Sequence, residues 1–120
     1  MSSNENWISI CDLNDLVDNS GVCALVDEQQ IALFKLRIAE QDHVMAISNW
    51  DPVGHANVLY RGLTASVTEA ERGVRYVVAS PLYKQRYCLT TGECLDNPEL
   101  AVSVFPTRIV DNTVQLAIAN

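Results

Sequence analysis

Two short segments carry the side chains with the most chemical potential in this 120-residue chain. One contains Asp51 and His55, the other contains Ser80, and in both segments a proline directly follows the first polar residue. Ser80, His55 and Asp51 supply, on paper, the three groups of a nucleophilic serine site. The sequence has no Gly-x-Ser-x-Gly elbow, however, and Pro81 removes a backbone N–H that an oxyanion hole would use. A hydrolase is therefore disfavoured.

A metal site is the second chemistry that these segments suggest. Asp51 and His55 provide two ligands, whereas structural zinc normally has four. An aspartate in a turn commonly accepts hydrogen bonds from its own backbone, and we favour this interpretation of Asp51. His43 follows Asp42 and has no catalytic partner in view. Neither segment contains a glycine-rich phosphate cradle or a dinucleotide fingerprint, so we do not expect the chain to bind NAD(P)H.

The two segments resemble the cluster-binding loops of a Rieske iron–sulfur domain. In that family a Cys-Pro-His loop and a Cys-Pro-x-His loop hold a [2Fe–2S] centre through two thiolates and two imidazoles. Here the loops read Asp-Pro-Val and Ser-Pro-Leu-Tyr. Asp51 and Ser80 stand at the thiolate positions, and Val53 and Tyr83 stand at the imidazole positions. The resemblance therefore implies a Rieske-like fold with degenerate ligand positions and no metal or cluster in this chain.

Over residues 7–118 the chain is similar to the small subunits of assimilatory NAD(P)H-dependent nitrite reductases, which have this fold without a cluster. The long connection between the two loops, residues 54–79, departs from compact Rieske ferredoxins, and we expect residues 61–73 to hold the additional length. The similarity rests on five segments in the family's order: residues 21–26, 46–52, 58–63, 79–82 and 91–95.

The resemblance also implies a partner. In this family the large subunit carries FAD, the nicotinamide site, a [4Fe–4S] centre and the sirohaem that reduces nitrite to ammonium in nitrate assimilation. The implied role of this chain is that of a non-catalytic small subunit, with no catalytic or cofactor-binding residue of its own, that completes or stabilises the enzyme. The alternative is a free-standing cluster-less Rieske-like binding or adaptor module, whose loop-tip pocket takes another ligand.

Loop tips of Rieske proteins meet the redox partner, which makes the aromatic and basic residues here candidates for docking. We expect Trp50, Tyr83, Lys84 and Arg86 to contact the large subunit, because aromatic and arginine side chains concentrate interface energy. An alternative remains open for each residue. Trp50 and Tyr87 can instead fill the volume of the missing cluster as core, while Lys84 and Arg86 form a solvated strand face.

Composition restricts the partner and the location. Fifteen acidic and eight basic residues give a net charge of −7, which argues against a nucleic acid or an anionic membrane surface as partner. The amino terminus shows no signal-peptide pattern and the chain has no run of 18 apolar residues, so we expect a cytoplasmic protein. The four cysteines form no Cys-x-x-Cys pair and are expected to be reduced and mostly buried.

The elements that must position the two loops are predicted to be β-strands. Short runs rich in Val, Ile and aromatic residues predict an all-β, Rieske-like antiparallel sandwich or barrel over residues 7–120, after a disordered tail of residues 1–6. Hairpin turns are predicted at residues 27–30, 90–93 and 111–113, and single helical turns at 12–17 and 97–101. Residues 64–73 are expected to be a mobile polar excursion. The predicted strands are residues 7–10, 22–26, 31–36, 44–48, 74–79, 86–89, 105–110 and 114–118.

Overall fold

The computed structural model describes residues 5–119, and antiparallel strands account for most of this range. Its helical elements are two three-residue 3-10 turns, Leu13–Asp15 and Leu59–Arg61, so no helix in the described range has the length that crossing a membrane requires. The strands are β1 (Glu5–Asp12), β2 (Ser20–Val26), β3 (Gln29–Ile38), β4 (Gln41–Ser48), β5 (Trp50–Asp51), β6 (Ala56–Asn57), β7 (Leu63–Glu69), β8 (Gly73–Ala79), β9 (Arg86–Cys88), β10 (Val104–Phe105), β11 (Thr107–Val110) and β12 (Thr113–Ala119).

The strands form four antiparallel sheets, and β3 contributes side chains to two cores. The sheet orders are β1-β12-β11, β10-β4-β3-β2, β5-β6 and β7-β8-β9. Successive side chains of a strand point to opposite faces, and both faces of β3 are buried. Leu33 packs in a core with Leu116 of β12, whereas Phe34 packs in a second core with Val78 and Tyr87 of the β7-β8-β9 sheet. The predicted all-β, antiparallel class is confirmed.

Two-residue turns join three of the hairpins. Asp27 and Glu28 connect β2 to β3, and Asp111 and Asn112 connect β11 to β12, all with positive φ between 48° and 66°. Asp and Asn tolerate this left-handed region, so the two predicted turns are confirmed. A third turn at residues 39–40 has the same conformation and joins β3 to β4. It was not predicted, because alanine and glutamate are not typical turn residues.

Residues 64–73 are not a loop, which corrects the predicted surface excursion. Most of them belong to β7, which pairs with β8 from Leu63 opposite Ala79 to Glu69 opposite Gly73. Much of β7 is solvent-exposed and rich in small polar residues, so its sequence lacks the apolar pattern that identifies a strand. Backbone hydrogen bonds to β8 hold it in the sheet. The predicted helical turn at 97–101 is also wrong: Asn97 accepts a hydrogen bond from the Leu100 amide at 3.0 Å, which closes a simple turn.

Two strand boundaries differ from the prediction. The strand expected at residues 105–110 is split at Pro106, because proline has no N–H for the ladder. Its first part pairs with β4 and its second part with β12. The expected tail of residues 1–6 is wrong for Glu5 and Asn6, which lie in β1 opposite β12, and residues 1–4 lie outside the described range.

Two glycines with positive φ provide a matched test of the turn at residues 90–93. Gly92 has φ +82°, and a Cβ atom there would overlap the carbonyl oxygen of Val102. Gly73 has φ +70° with nothing within 4 Å of the same position. We expect Gly73→Ala to lower the free energy of unfolding by about 1 kcal/mol, the cost of a left-handed L-residue. Gly92→Ala should cost about 2 kcal/mol more, because the backbone must also move.

Urea unfolding of the two variants beside the parent chain measures both changes. Equal losses of unfolding free energy in Gly92→Ala and Gly73→Ala would contradict the close packing of Gly92 against the Val102 carbonyl.

Candidate functional site

Two loops contain most of the predicted site residues. The first loop, residues 51–55, lies between the short strands β5 and β6, and the second loop, residues 80–84, connects β8 to β9. The amide of Ser80 donates to the carbonyl oxygen of Gln85 at 2.9 Å, which closes the second loop at its base. The first loop is closed by pairing of Asp51 with Ala56. Rigid strands therefore hold both ends of each loop.

The two loops have the same turn geometry. In the first loop the carbonyl oxygen of Asp51 accepts a hydrogen bond from the amide of His55 at 2.8 Å. In the second loop the carbonyl oxygen of Ser80 accepts one from the amide of Lys84 at 3.0 Å. His55 and Lys84, at matching positions, have φ values of 55° and 64°. Each loop thus begins with a polar residue followed by proline, and its fifth residue has a left-handed backbone conformation, so the two turns are equivalent.

The leading polar side chains bind the backbone of their own loops. Oδ1 of Asp51 accepts hydrogen bonds from the amides of Val53 at 2.8 Å and Gly54 at 3.0 Å. Oγ of Ser80 accepts one from the amide of Leu82 at 3.2 Å. The interpretation of Asp51 as a residue that caps its own loop is confirmed.

The same two side chains also join the loops to each other. The Ser80 hydroxyl donates a hydrogen bond to Oδ2 of Asp51, and both residues are buried. Burial raises the pKa of Asp51, but hydrogen bonds from Ser80, Gly54 and Val53, with the nearby His55, lower the pKa below its usual value. Asp51 is therefore ionised at neutral pH.

Tyr87, in β9, is fully buried and interacts electrostatically with Asp51. Its hydroxyl makes no hydrogen bond of standard geometry, and burial together with the Asp51 carboxylate raises the pKa of this phenol. The complete burial of Tyr87 agrees with the alternative that this residue is part of the core. Ser80 donates directly to Asp51 and His55 stacks on Trp50, so Ser80, His55 and Asp51 are not arranged as a nucleophilic site.

Asn49 anchors the start of the first loop, a role that the sequence analysis missed. This fully buried side chain accepts a hydrogen bond from the amide of Tyr60 at 2.8 Å and donates one to the side chain of Gln30 at 3.2 Å. Its Nδ2 also lies 3.5 Å from Sγ of Cys23. The available signal was an asparagine placed directly after the apolar strand β4.

The exposed side chains of the loops, with Trp50 of the adjoining strand β5, form what we call the loop-tip surface: Trp50, His55, Leu82, Tyr83 and Lys84. Trp50 is 44% exposed, Leu82 46% and Tyr83 64%. The rings of Trp50 and His55 stack with centroids 6.1 Å apart and an angle of 19°. Leu82 reaches across to the first loop and lies directly against the backbone at residue 54. Three predicted docking residues, Trp50, Tyr83 and Lys84, are thus exposed in or beside two loops that contact each other. His55 and Leu82, which were not among the predicted residues, are exposed with them.

Arg86, the fourth predicted docking residue, lies at the start of β9 and is bound within the chain. Its guanidinium donates to both carboxylate oxygens of Asp96, at 3.1 and 2.8 Å, and its amide donates to the same group at 2.9 Å. The Asp96 carboxylate raises the pKa of Arg86. The guanidinium is therefore already paired before any partner binds.

The remaining candidate positions offer little for metal binding. Val53, which is half-buried, has no donor atom in its side chain, and residues 5–119 contain no group of three or more His, Cys, Asp or Glu side chains able to hold a metal ion. All four cysteines are free thiols. Two of them, Cys88 and Cys94, are buried as expected, whereas Cys23 is exposed.

Comparisons with known proteins agree with this geometry. The family model for a Rieske-like [2Fe-2S] domain matches residues 6–117. The nitrite reductase (NADH) small subunit of Escherichia coli K12 is 41% identical over 110 residues, which cover 92% of this chain and 95% of that protein. The solution structure of the E. coli protein NirD has a TM-score of 0.81 and 39% identity, covering 97% of this chain and 99% of that one.

A longer relative contains the same domain. The nitrite reductase [NAD(P)H] large subunit of Klebsiella oxytoca is 39% identical over 108 residues, which cover 90% of this chain and 10% of that protein. With a family match over most of its length and close relatives of matching length, the chain belongs to the Rieske-like [2Fe-2S] domain family and, within it, to the nitrite reductase small subunits.

Proposed function

We propose that this chain is the non-catalytic small subunit of a cytoplasmic NAD(P)H-dependent nitrite reductase and that it docks on the large subunit through the loop-tip surface. The observation that carries the proposal is the exposure of Trp50, Leu82 and Tyr83 on or beside two loops that a buried hydrogen bond joins. Large apolar side chains in one exposed patch are typical of interaction sites. The K. oxytoca relative supports the choice of partner, because a large-subunit polypeptide there contains this domain.

The electrostatics of the surface suggest how the partner is recognised. Lys84 takes part in no ion pair with another residue of the range 5–119, although the whole chain has a net charge of −7. A lysine beside aromatic side chains would pair with a carboxylate next to an apolar pocket on the large subunit. The acidic remainder of the chain would favour a basic surface around that pocket.

The residues at the ligand positions do not fit a [2Fe–2S] cluster. A Rieske cluster needs two thiolates and two imidazoles, and soft sulfur ligands in particular. Ser80 and Asp51 are in direct hydrogen-bonding contact, so no iron ion fits between them. Val53 has no donor atom and Tyr83 extends into solvent. We therefore propose that the chain binds no cluster and that FAD, the [4Fe–4S] centre and sirohaem belong to the large subunit.

The alternative of a free-standing adaptor module requires a ligand pocket between the loops. The side chains of Asp51 and Ser80 are in direct contact between the loops, and both are buried. No observation favours the adaptor over the subunit.

The first prediction from this proposal concerns the cluster. The purified chain, incubated anaerobically with ferric iron and sulfide and then desalted, should remain colourless, because its loops offer oxygen donors where iron–sulfur chemistry needs thiolates. A cluster-binding Rieske ferredoxin treated in parallel serves as the positive control. A stoichiometric visible absorption band with the electron paramagnetic resonance signal of a reduced [2Fe–2S] centre would contradict the proposal.

The second prediction concerns docking. Trp50→Ala and Tyr83→Ala should each weaken binding to the large subunit by about 2 kcal/mol, near a thirtyfold change in Kd, while the melting temperature stays within about 2 °C. Leu25→Ala is the matched control, because Leu25 is 73% exposed on β2 and belongs to no loop. Arg86→Ala should act differently: losing the ion pair with Asp96 should lower stability more than it changes docking.

Isothermal titration calorimetry and thermal unfolding of the same preparations separate the two effects. Full-strength binding by a folded triple variant carrying Trp50→Ala, Leu82→Ala and Tyr83→Ala would show that docking uses another surface.

A further inference from the structure

The two loops are connected by a contact that contains no metal. The Ser80 hydroxyl donates to Oδ2 of Asp51 across the space between the loops, and Asp51 and Ser80 are 0% and 1% exposed. Hydrogen bonds to an ionised group are about twice as strong as neutral ones, and burial protects them from competition by water. The contact is therefore well placed to fix the relative position of the loops.

Each partner in this contact also orders its own loop. Oδ1 of Asp51 accepts hydrogen bonds from the amides of Val53 and Gly54, and Oγ of Ser80 accepts one from the amide of Leu82. A change in the position of either side chain would therefore alter the backbone that presents Trp50, His55 and Tyr83. Above the contact, Leu82 lies against Gly54, where no larger residue would fit without displacing it.

We propose that Asp51 and Ser80 form a metal-free clip that holds the two loops in one arrangement and thereby pre-organises the loop-tip surface for the large subunit. This inference rests on the proposed docking function. A surface ordered before binding loses less conformational entropy when the complex forms, so part of the affinity comes from residues that never touch the partner. Asp51 and Ser80 are positioning residues in this sense, since both are buried beneath the surface.

A purely structural role for these residues makes a different prediction. In that case removing the Ser80 hydroxyl would change the overall stability and leave the binding of folded molecules unaltered. The two roles can be distinguished by changing Ser80 in the second loop and measuring amide exchange in the first loop. Val53 and Gly54 donate to Asp51, not to Ser80, so their amides report on the clip only through the carboxylate.

The test uses Ser80→Ala, with Ser80→Thr as a variant that keeps the hydroxyl. Amide hydrogen exchange is measured on the isolated chain, and Kd is measured with the large subunit. In Ser80→Ala we expect the amides of Val53 and Gly54 to exchange about tenfold faster and the Kd to rise about tenfold, the loss of one hydrogen bond to a charged group. Ser80→Thr should retain most of both properties.

Thr107→Val is the matched control, because it removes another hydroxyl hydrogen bond, from Thr107 to the carbonyl oxygen of Val44, on strands outside the loops. Both its Kd and its loop exchange should equal those of the parent chain. If Ser80→Ala does not fold, Ser80→Cys replaces it, since a thiol is a weak donor of similar size, and changes of at least threefold in the same directions are expected.

The outcomes separate the two proposals. Unchanged protection of Val53 and Gly54 in the Ser80 variant would overturn the clip, and so would faster exchange combined with parental affinity for the large subunit. Failure of the parent chain to bind the large subunit at all would overturn the docking function instead, while the exchange measurement would still decide whether the clip orders the loops.

Discussion

The conformation of both loops depends on one group, the ionised and fully buried carboxylate of Asp51. Such a group is costly unless hydrogen bonds replace its lost water. Three donors meet it here, the amides of Val53 and Gly54 and the hydroxyl of Ser80. Removing one donor leaves part of a buried charge unsatisfied, which costs about 1–3 kcal/mol. The first loop must therefore keep its turn, and the second loop must keep Ser80 within reach.

The sheets supply the rest of this arrangement. Because β3 is buried on both faces, it links the core under β12 to the core under β8 and β9. Asn49, directly after β4, donates a hydrogen bond to Gln30 of β3 and accepts one from the amide of Tyr60 in the 3-10 turn. In this Rieske-like domain the two loops are thus held by strand pairing and by their own side-chain hydrogen bonds, and Leu82 and Tyr83 of the second loop are exposed to solvent.

Elements whose signal is local could be predicted from the sequence. Apolar runs identified β2, β3, β4 and β12, and Asp or Asn at tight turns identified two hairpins, because period-2 burial and left-handed φ depend directly on residue type. Strand β7, whose exposed face carries small polar residues, and the turn at residues 39–40 gave no such signal. The two loops were identified by resemblance, but hydrogen bonds between positions far apart in the chain, such as Ser80 to Asp51 and Tyr60 to Asn49, leave no local pattern. The ion pair between Arg86 and Asp96 was equally hidden, and it changes what Arg86 offers to a partner.

The central claim is that the paired loops are the face on which the large subunit sits, and nuclear magnetic resonance of the isotopically labelled chain during addition of the unlabelled large subunit tests it most directly. The claim predicts that signals of the Trp50 indole N–H and of the Leu82, Tyr83 and Lys84 amides shift or broaden first. Changes that are confined instead to the apolar groove between β1 and β2, lined by Ile10, Val22 and Leu25, would contradict it.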